Sequence, residues 1–395
     1  MLPRRSRTVA LCSLANLINA ADRVIMPIAI IPMSEEYRWN LHWQGWILSA
    51  FAIGFITSQL LGARAGSCHS NKAVMTCAVL LWSTSTIVTP LVASSLPLLL
   101  LSRVLLGFGE GLGLPTMFHI VAQTTPAEDR PWAFSCLITM GAVGQTTAAM
   151  ICPHLAWQTT FYAFGALGLA WMLAWMVLHR DDPTLPREEN KGPRISQLLC
   201  HWSLWAIYVA HFAMNWSSYL IMQWLPTYLS RELAASAGDL SLTAVPYVCN
   251  SLCASLTAGF ADSLLAKKRW SLLTVRRLAT CFGLLGSGLF LLCFCAVNSL
   301  WLALLAVSLS MGLLACNSAG HLGNHADVAS PGYAGHSFAL SNTLATLPGI
   351  LCGPLTAELV TQSHGRWFPV FVLAAAVNFV GAVVYGSQSS TNQAL

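Results

Sequence analysis

Charge is what this sequence has least of. Asp, Glu, Lys and Arg together make up 9% of its 395 residues, while 55% are hydrophobic. A soluble globular protein carries roughly 25% charged residues. So few charges cannot clothe a water-facing surface, so most of the chain must face lipid. Its 13 cysteines are scattered through apolar segments such as LLCFCAV (291–297). None has the paired spacing of a disulfide framework or a zinc site, and they read as small apolar packing residues. A phosphate-binding P-loop is also absent, which excludes an ATP-driven pump of that class. No cleavable signal peptide is visible, and MLPRRSR is too short for a transit peptide. The first span therefore targets the protein, or a presequence is missing from this chain.

What is present is a series of apolar runs. A spanning helix needs about 20 mostly apolar residues. Twelve such runs lie near 8–31, 42–62, 73–93, 97–122, 133–154, 157–178, 204–229, 239–261, 275–296, 299–323, 334–357 and 367–386. The expected fold is an all-α integral membrane protein of twelve transmembrane helices in two six-helix bundles. The expected boundaries are 1–178 for the N-terminal bundle, 179–203 for a cytoplasmic central loop and 204–395 for the C-terminal bundle. The net charge of +5 gives no nucleic-acid surface once its Lys and Arg are located. Arg4, Arg5, Arg7, Arg64, Lys72, Arg130, Arg180, Arg187, Lys191, Arg194, Lys267, Lys268, Arg269, Arg276 and Arg277 fall on one side if both termini share it. Only Arg38, Arg231 and Arg366 fall on the other. The positive-inside rule then puts both termini in the cytoplasm or its organellar equivalent. Trp39, Trp43, Trp202 and Trp367 lie near span ends and read as interfacial anchors.

Repeated halves around a polar central loop mark a secondary transporter, with its substrate site expected where the halves meet. Against that frame the stretch INAADRVIMPIAI (18–30) is informative, because it puts Asp22 and Arg23 inside the first span. Arg103 and Glu110 do the same in the fourth. An ionisable side chain at mid-bilayer costs about 2.5–3.5 kcal/mol on insertion scales, so it needs a reason. A guanidinium suits an anion, which it binds in a fork geometry. A carboxyl out of water can carry a proton or seat a sodium ion. Arg23 is therefore the expected anion ligand, and Asp22 and Glu110 the ion-coupling groups. Alternatively these charges form structural pairs. Asp22 and Arg23 point about 100° apart on a helix, so they answer each other poorly, whereas Arg23 can meet Glu110 across the bundle. Arg103, nearer the outer surface, is expected to be structural. Asn215 and Tyr219 share one face of the seventh span, and Gln145 stands in the small-residue stretch GAVGQTT; these three are candidate substrate contacts. His119 and His211 read as hydrogen-bonded packing residues with a proton relay as the alternative. GHSFA (335–339) carries Ser337 after a Gly-His pair but lacks the full nucleophile-elbow pattern, so no enzyme is expected.

The motifs also carry a resemblance. RVLLGFGEGLGLP (103–115) resembles the fourth-helix motif of the major facilitator superfamily. More narrowly it is similar to the anion:cation symporter family of plant plastid-type phosphate transporters, sialin and vesicular glutamate transporters. NAADRV (19–24), WLPTYL (224–229) and GNHADVASPGYAG followed by ALSNT (323–343) resemble that family's first-, seventh- and tenth-to-eleventh-helix signatures. MSEEYRWN, WSTSTIVTPLVAS and TPAEDR look like its plant and algal phosphate branch.

The resemblance implies alternating access and a small anion, inorganic phosphate first, driven by sodium or protons with no other cofactor. Organic anions such as sugar acids, ascorbate or glutamate-like acids are the alternative, and a non-transporting receptor the alternative from another class. By the same resemblance Arg23 matches the anion-binding arginine, Asp22 and Glu110 the proton-coupling pair, and Asn342 a substrate-contacting position. It further implies a monomer in the lipid bilayer of a plastid or other organelle, with the plasma membrane as alternative, and no nucleic-acid partner. Three positions depart from the pattern. Gly66 stands where the first-half loop motif carries Asp, although the second half keeps Asp262 with Arg276 and Arg277 following as gating residues. Met214 replaces an Arg or His, and Phe118 an Asn or His.

Overall fold

The computed structural model describes residues 4–68, 70–126, 128–180, 195–266, 270–329 and 331–393. Every regular element among them is helical. The first part of the chain forms α1 (Arg4–Glu36), α2 (Leu41–Cys68), α3 (Asn71–Val92), α4 (Leu96–Thr124), α5 (Arg130–Ile151) and α6 (Trp157–Leu178). The second forms α7 (Ile195–Leu199), α8 (Trp202–Glu232), α9 (Ala244–Ala266), α10 (Leu272–Ala296), α11 (Leu300–Leu314), α12 (His321–Val328), α13 (Pro331–Leu344), α14 (Leu347–Gln362) and α15 (Phe368–Gln388). Short 3-10 turns at Cys152–His154, Gly238–Thr243 and Ala315–Ser318 join some of them.

Local chemistry sets where helices start and bend. Ser70 and Ser271 cap α3 and α10 by accepting from the backbone N–H of Ala73 and Thr274, each at 3.2 Å. Proline occupies the first turn of α4, α5, α14 and α15, where its missing N–H costs nothing. Interior prolines, such as Pro27 and Pro32 in α1, persist because neighbouring helices shelter the freed carbonyls.

Ten helical stretches among the described residues are long and apolar enough to cross a membrane. The protein is a multi-pass membrane protein. The expected spans at 42–62 and 204–229 coincide with α2 and α8, which are of spanning length but fall outside those ten. The expected span 334–357 is two helices, because the chain turns at Ala345–Thr346 before Pro348 opens α14. The span near 299–323 likewise ends α11 early and restarts as α12 after Gly320. Most of the expected central loop, residues 181–194, lies outside the described residues, as do Lys267, Lys268 and Arg269. Gly66 sits on the α2 backbone in a stretch whose side chains are outside the description. Trp367 is not an interfacial anchor: it is 4% exposed and packs edge-on against Trp224 at 5.6 Å. Trp202, 73% exposed, keeps that reading.

The chain divides into two compact units. One comprises Met1–Glu189 with Ser236–Ala244, the other Asn190–Ala235 with Val245–Leu395. In the first unit, α4 packs on α2 and α3, while α1 packs on α5. The α2–α4 crossing is glycine on backbone. A Cβ on Gly54 would strike the Val104 carbonyl, and one on Gly107 the Phe51 carbonyl. Such close approach is how membrane helices gain van der Waals contact without a hydrophobic driving force. In the second unit α10 packs on α11 and α15, and α8 on α14 and α15.

Gly107→Leu or Gly54→Leu is expected to destabilise the protein by at least about 1–3 kcal/mol, the usual cost of overpacking. Gly259→Ala, whose new Cβ meets nothing within 4 Å, is expected to leave stability unchanged. Thermal unfolding in detergent compares the three directly.

Candidate functional site: a buried charge cluster in the first unit

The packing of α2 against α4 builds a shelf. Gly107 and Gly111 let α4 lie against Phe51 and Phe55 of α2, whose rings stack at 5.5 Å. The Arg23 guanidinium from α1 lies over these rings, 5.4 Å from the centroid of Phe51 and 4.6 Å from that of Phe55. Both are within the range of a cation–π contact, which strengthens where water is excluded. Arg23 Nε donates to Glu110 Oε2 at 2.8 Å, forming an ion pair with a fully buried carboxylate. Its Nη2 donates to Asn19 Oδ1, one turn earlier on α1, at 3.2 Å. The Arg23 side chain keeps 18% exposure where Glu110 has none. The cation is thus held on one edge and open on another.

Asp22 turns the other way, as the helical geometry requires. Its Oδ2 lies 3.4 Å from the Thr86 hydroxyl on α3, whose one hydrogen is shared between Asp22 and the Trp82 carbonyl at 3.0 Å. Arg103, for which a structural role is expected, stands on α4 seven residues before Glu110. It is buried and lies within electrostatic reach of both Asp22 and Glu110. Two cations and two carboxylates therefore share one desolvated region. Three of these four groups and the neighbouring Asn19 keep unsatisfied capacity: Asp22 Oδ1, Glu110 Oε1, Arg103 Nε and Nη1, and Asn19 Nδ2 have no hydrogen-bond partner among the described residues. Buried polar atoms of this kind ask for an explanation. A cluster that must release and accept an ion or a ligand supplies one.

The other expected site residues are spread out. Gln145 is half-buried on α5, beside the glycines that receive α1 at Asn16 and Leu17. In the second unit Asn215 donates to the His211 carbonyl at 3.1 Å, one turn back on α8, and Tyr219 stands one turn further on. Asn342 is half-buried on α13, its carbonyl accepting from Thr346. Among the expected gating residues, Arg276 pairs with Asp327 at 2.7 Å and donates to the Ala319 carbonyl. Arg277 donates to the side chain and carbonyl of Ser389. Asp262 is exposed on α9, so the carboxylate that Arg276 meets is Asp327. Sequence reasoning passed over Phe51 and Phe55, and also His321 and His325. The phenylalanines lie one turn apart, FAIGF, as do the histidines, HLGNH. That spacing was the available signal, but the second pair sat next to a signature already explained.

The comparisons with known proteins bear on the family and the fold. The model of the Major Facilitator Superfamily matches residues 12–351. A chloroplastic ascorbate transporter of Arabidopsis thaliana is 32% identical over 97% of this chain and 74% of its own length. The chloroplastic sodium-dependent phosphate transport protein 1 of the same plant is also 32% identical, over 97% of this chain and 78% of its own. Sialin from Ovis aries is 33% identical over 89% of this chain and 76% of its own. Among solved structures, a bacterial homologue of the human lysosomal transporter Spinster superposes with a TM-score of 0.82 at 16% identity, covering 99% of this chain and 98% of that one. A D-xylose–proton symporter does so with 0.76 at 14%, covering 98% of each. At those identities the structural likeness concerns the fold alone.

Removing one partner of a buried ion pair strands the other, at about 3–5 kcal/mol. Arg23→Met is therefore expected to lower the unfolding midpoint strongly. Arg23→Met with Glu110→Met leaves the oppositely charged Asp22 and Arg103, so the double variant is expected to be more stable than the single one. A double-mutant cycle on thermal stability measures the coupling.

Proposed function

This chain belongs to the Major Facilitator Superfamily and, within it, to the anion:cation symporter family; on that premise we propose that it is a secondary transporter of a small anion, inorganic phosphate first. It is a carrier, not an enzyme. The observation that supports the anion reading is Arg23. It is a guanidinium seated on two aromatic rings deep in a helix, engaged by Glu110 through one nitrogen and partly open otherwise. Isolated, that cation is costly in lipid, and a bound anion answers it.

Coupling follows from the same pair. While Glu110 is ionised it competes with the anion for the guanidinium. A proton or a sodium ion on Glu110 neutralises that competitor and releases Arg23. Asp22, held by Thr86 nearby, gives the coupling cation a second seat. Arg103 keeps both carboxylates from being wholly unopposed when Arg23 turns to the anion. Asn215, Tyr219, Asn342 and Gln145 supply neutral hydrogen-bonding groups to substrate during alternating access. Met214 leaves α8 without a second fixed cation, which favours a substrate that one arginine and neutral donors can hold.

A second reading stays open on a specific observation. The ascorbate and phosphate transporters named above are equally similar to this chain, so similarity does not separate an organic anion from phosphate. Both of those relatives are chloroplastic by name, which supports a plastid membrane. The one-sided basic loops support both termini on its cytoplasm-equivalent face.

Uptake of labelled phosphate into proteoliposomes tests the proposal, with proton and sodium gradients imposed separately and unlabelled ascorbate as competitor. Concentrative uptake is expected in the parent, with loss of at least about tenfold in Arg23→Ala. Glu110→Gln is expected to abolish gradient-driven accumulation while sparing exchange. Binding of either anion without accumulation in the parent contradicts the transporter reading in favour of a receptor. Ascorbate uptake without phosphate uptake moves the substrate to the organic class.

A further inference from the structure

The candidate substrate contacts described in the second unit, Asn215, Tyr219 and Asn342, carry no charge, unlike the Arg23–Glu110 pair of the first. The second unit holds three buried histidines at one place. His211 comes from α8; His321 and His325 come from successive turns of α12. All three are 3% exposed or less. The His211 and His321 rings are 5.5 Å apart between centroids, and His321 and His325 stand one turn apart on α12. Each ring is fixed through Nδ1. His211 Nδ1 meets the Ser341 hydroxyl at 2.7 Å, His325 Nδ1 the Ser337 hydroxyl at 2.9 Å, and His321 Nδ1 the Asn317 amide oxygen at 3.1 Å.

The last contact settles a tautomer. Asn317 Nδ2 donates to the Leu314 carbonyl at 2.9 Å, so the amide oxygen is the atom that faces His321. An amide oxygen only accepts, so His321 Nδ1 carries hydrogen. The neutral ring then presents a lone pair at Nε2. That atom has no partner among the described residues, and neither has Nε2 of His325. A ring held by one nitrogen with a basic, unengaged second nitrogen is built to take something there. Among the described residues no group of three His, Cys, Asp or Glu side chains is arranged for a metal ion. The ligand that a lone pair in such tight packing accepts is a proton.

We propose that His321, braced by Asn317 and flanked by His211 and His325, is a proton-binding site of the second unit, separate from the Asp22 and Glu110 seats of the first. One proton adds to Nε2 of His321 and the ring gains one positive charge. A second proton on His211 or His325 is opposed by like charge, so the triad holds one at a time. The other groups that face it are few. On α8 there is Tyr208, whose ring lies 6.4 Å from that of His325. On α15 there is Tyr385, which is 6.2 Å from His321 and accepts from Asn324. From α10 come Thr280, which accepts from the His321 backbone N–H, and Arg276 in its pair with Asp327 of α12. From α13 come the two serines and the Phe338 ring. Within this set the single carboxylate is Asp327, already paired with Arg276, so the arriving charge, spread over the two nitrogens of the His321 ring, is met by the dipoles of hydroxyls and amides. Because Ser341 and Ser337 tie α13 to His211 and His325, proton occupancy bears on how α13 is held against α8 and α12. Only this last consequence, for transport, rests on the carrier reading given above.

The test uses the full chain in lipid nanodiscs with ¹⁵N-labelled histidine rings, titrated from about pH 8 to about pH 5, the range in which imidazole changes charge. A ring signal that converts from the neutral Nδ1–H tautomer to imidazolium, and that is missing from His321→Gln, is the expected result. The proposal is overturned if no titrating signal is lost in that variant. Should His321→Gln not fold, His325→Gln is used, and the midpoint of the Nδ1–H ring must shift because a like-charged neighbour has gone; an unmoved midpoint overturns the site. Exchange of labelled phosphate across the same pH range reads the consequence, with the acid-side change in rate expected to vanish in His321→Gln. If neither phosphate nor ascorbate is exchanged by the parent, the anion-carrier reading fails while the ring titration still decides the proton site.

Discussion

A guanidinium halfway along a membrane-length helix must be answered, and in this protein Glu110 answers Arg23 at 2.8 Å across two helices. Much of the first unit serves that contact. Gly107 of α4 and Gly54 of α2 let backbone touch backbone, at Phe51 and Val104 respectively. The same closeness brings the Phe51 and Phe55 rings under the cation. Asn19 and Thr86 fix the directions in which Arg23 and Asp22 leave α1, one toward α2 and α4, the other toward α3. Asp22, Arg103 and Glu110 then share a buried region, each with part of its hydrogen-bonding capacity unspent, while Arg23 keeps one edge open. Stability and function oppose one another here: a fully satisfied cluster would hold the bundle better and move nothing.

The two units solve the problem of polar groups in lipid differently. The first uses opposed full charges. The second, away from the Arg276–Asp327 pair, uses neutral rings, amides and hydroxyls, with His211, His321 and His325 tied to Ser341, Asn317 and Ser337. Hydrogen-bonded neutral networks cost less to bury than unpaired charges. The histidine network proposed as a proton site in the second unit adds to, and does not replace, the coupling seats proposed at Asp22 and Glu110 in the first.

The architecture could be read before any coordinates because lipid leaves the chain few options. A run of apolar residues with no water to satisfy its backbone has to be a helix, so the helices at α1 to α6 lie where the hydropathy placed them. The meeting of Arg23 with Glu110 was legible for the same reason, since two unanswered charges in one bundle have little else to find. What could not be read was direction and distance within the bundle. Arg103, seven residues before Glu110 on nearly the same face and nearer the outer surface, reads as structural in the sequence, but its burial within electrostatic reach of both Asp22 and Glu110 was not legible there. Trp367 was taken for an anchor from its position at a span end, but its ring packs inward on Trp224. The histidine triad depends on α11 ending early and α12 restarting after Gly320, a break that hydropathy smooths over.

The central claim is that Glu110 and the anion compete for Arg23 and that the coupling cation decides between them. Equilibrium binding of labelled phosphate to the purified protein, with ascorbate run in parallel, measures this directly as proton and sodium concentrations are varied. The account predicts that the parent binds about tenfold or more tightly when one of those cations is raised. Glu110→Gln should bind tightly whatever the cation concentration. If Glu110→Gln keeps the parent's cation dependence, or if Arg23→Gln binds as well as the parent, the pair is a structural brace and the account is wrong.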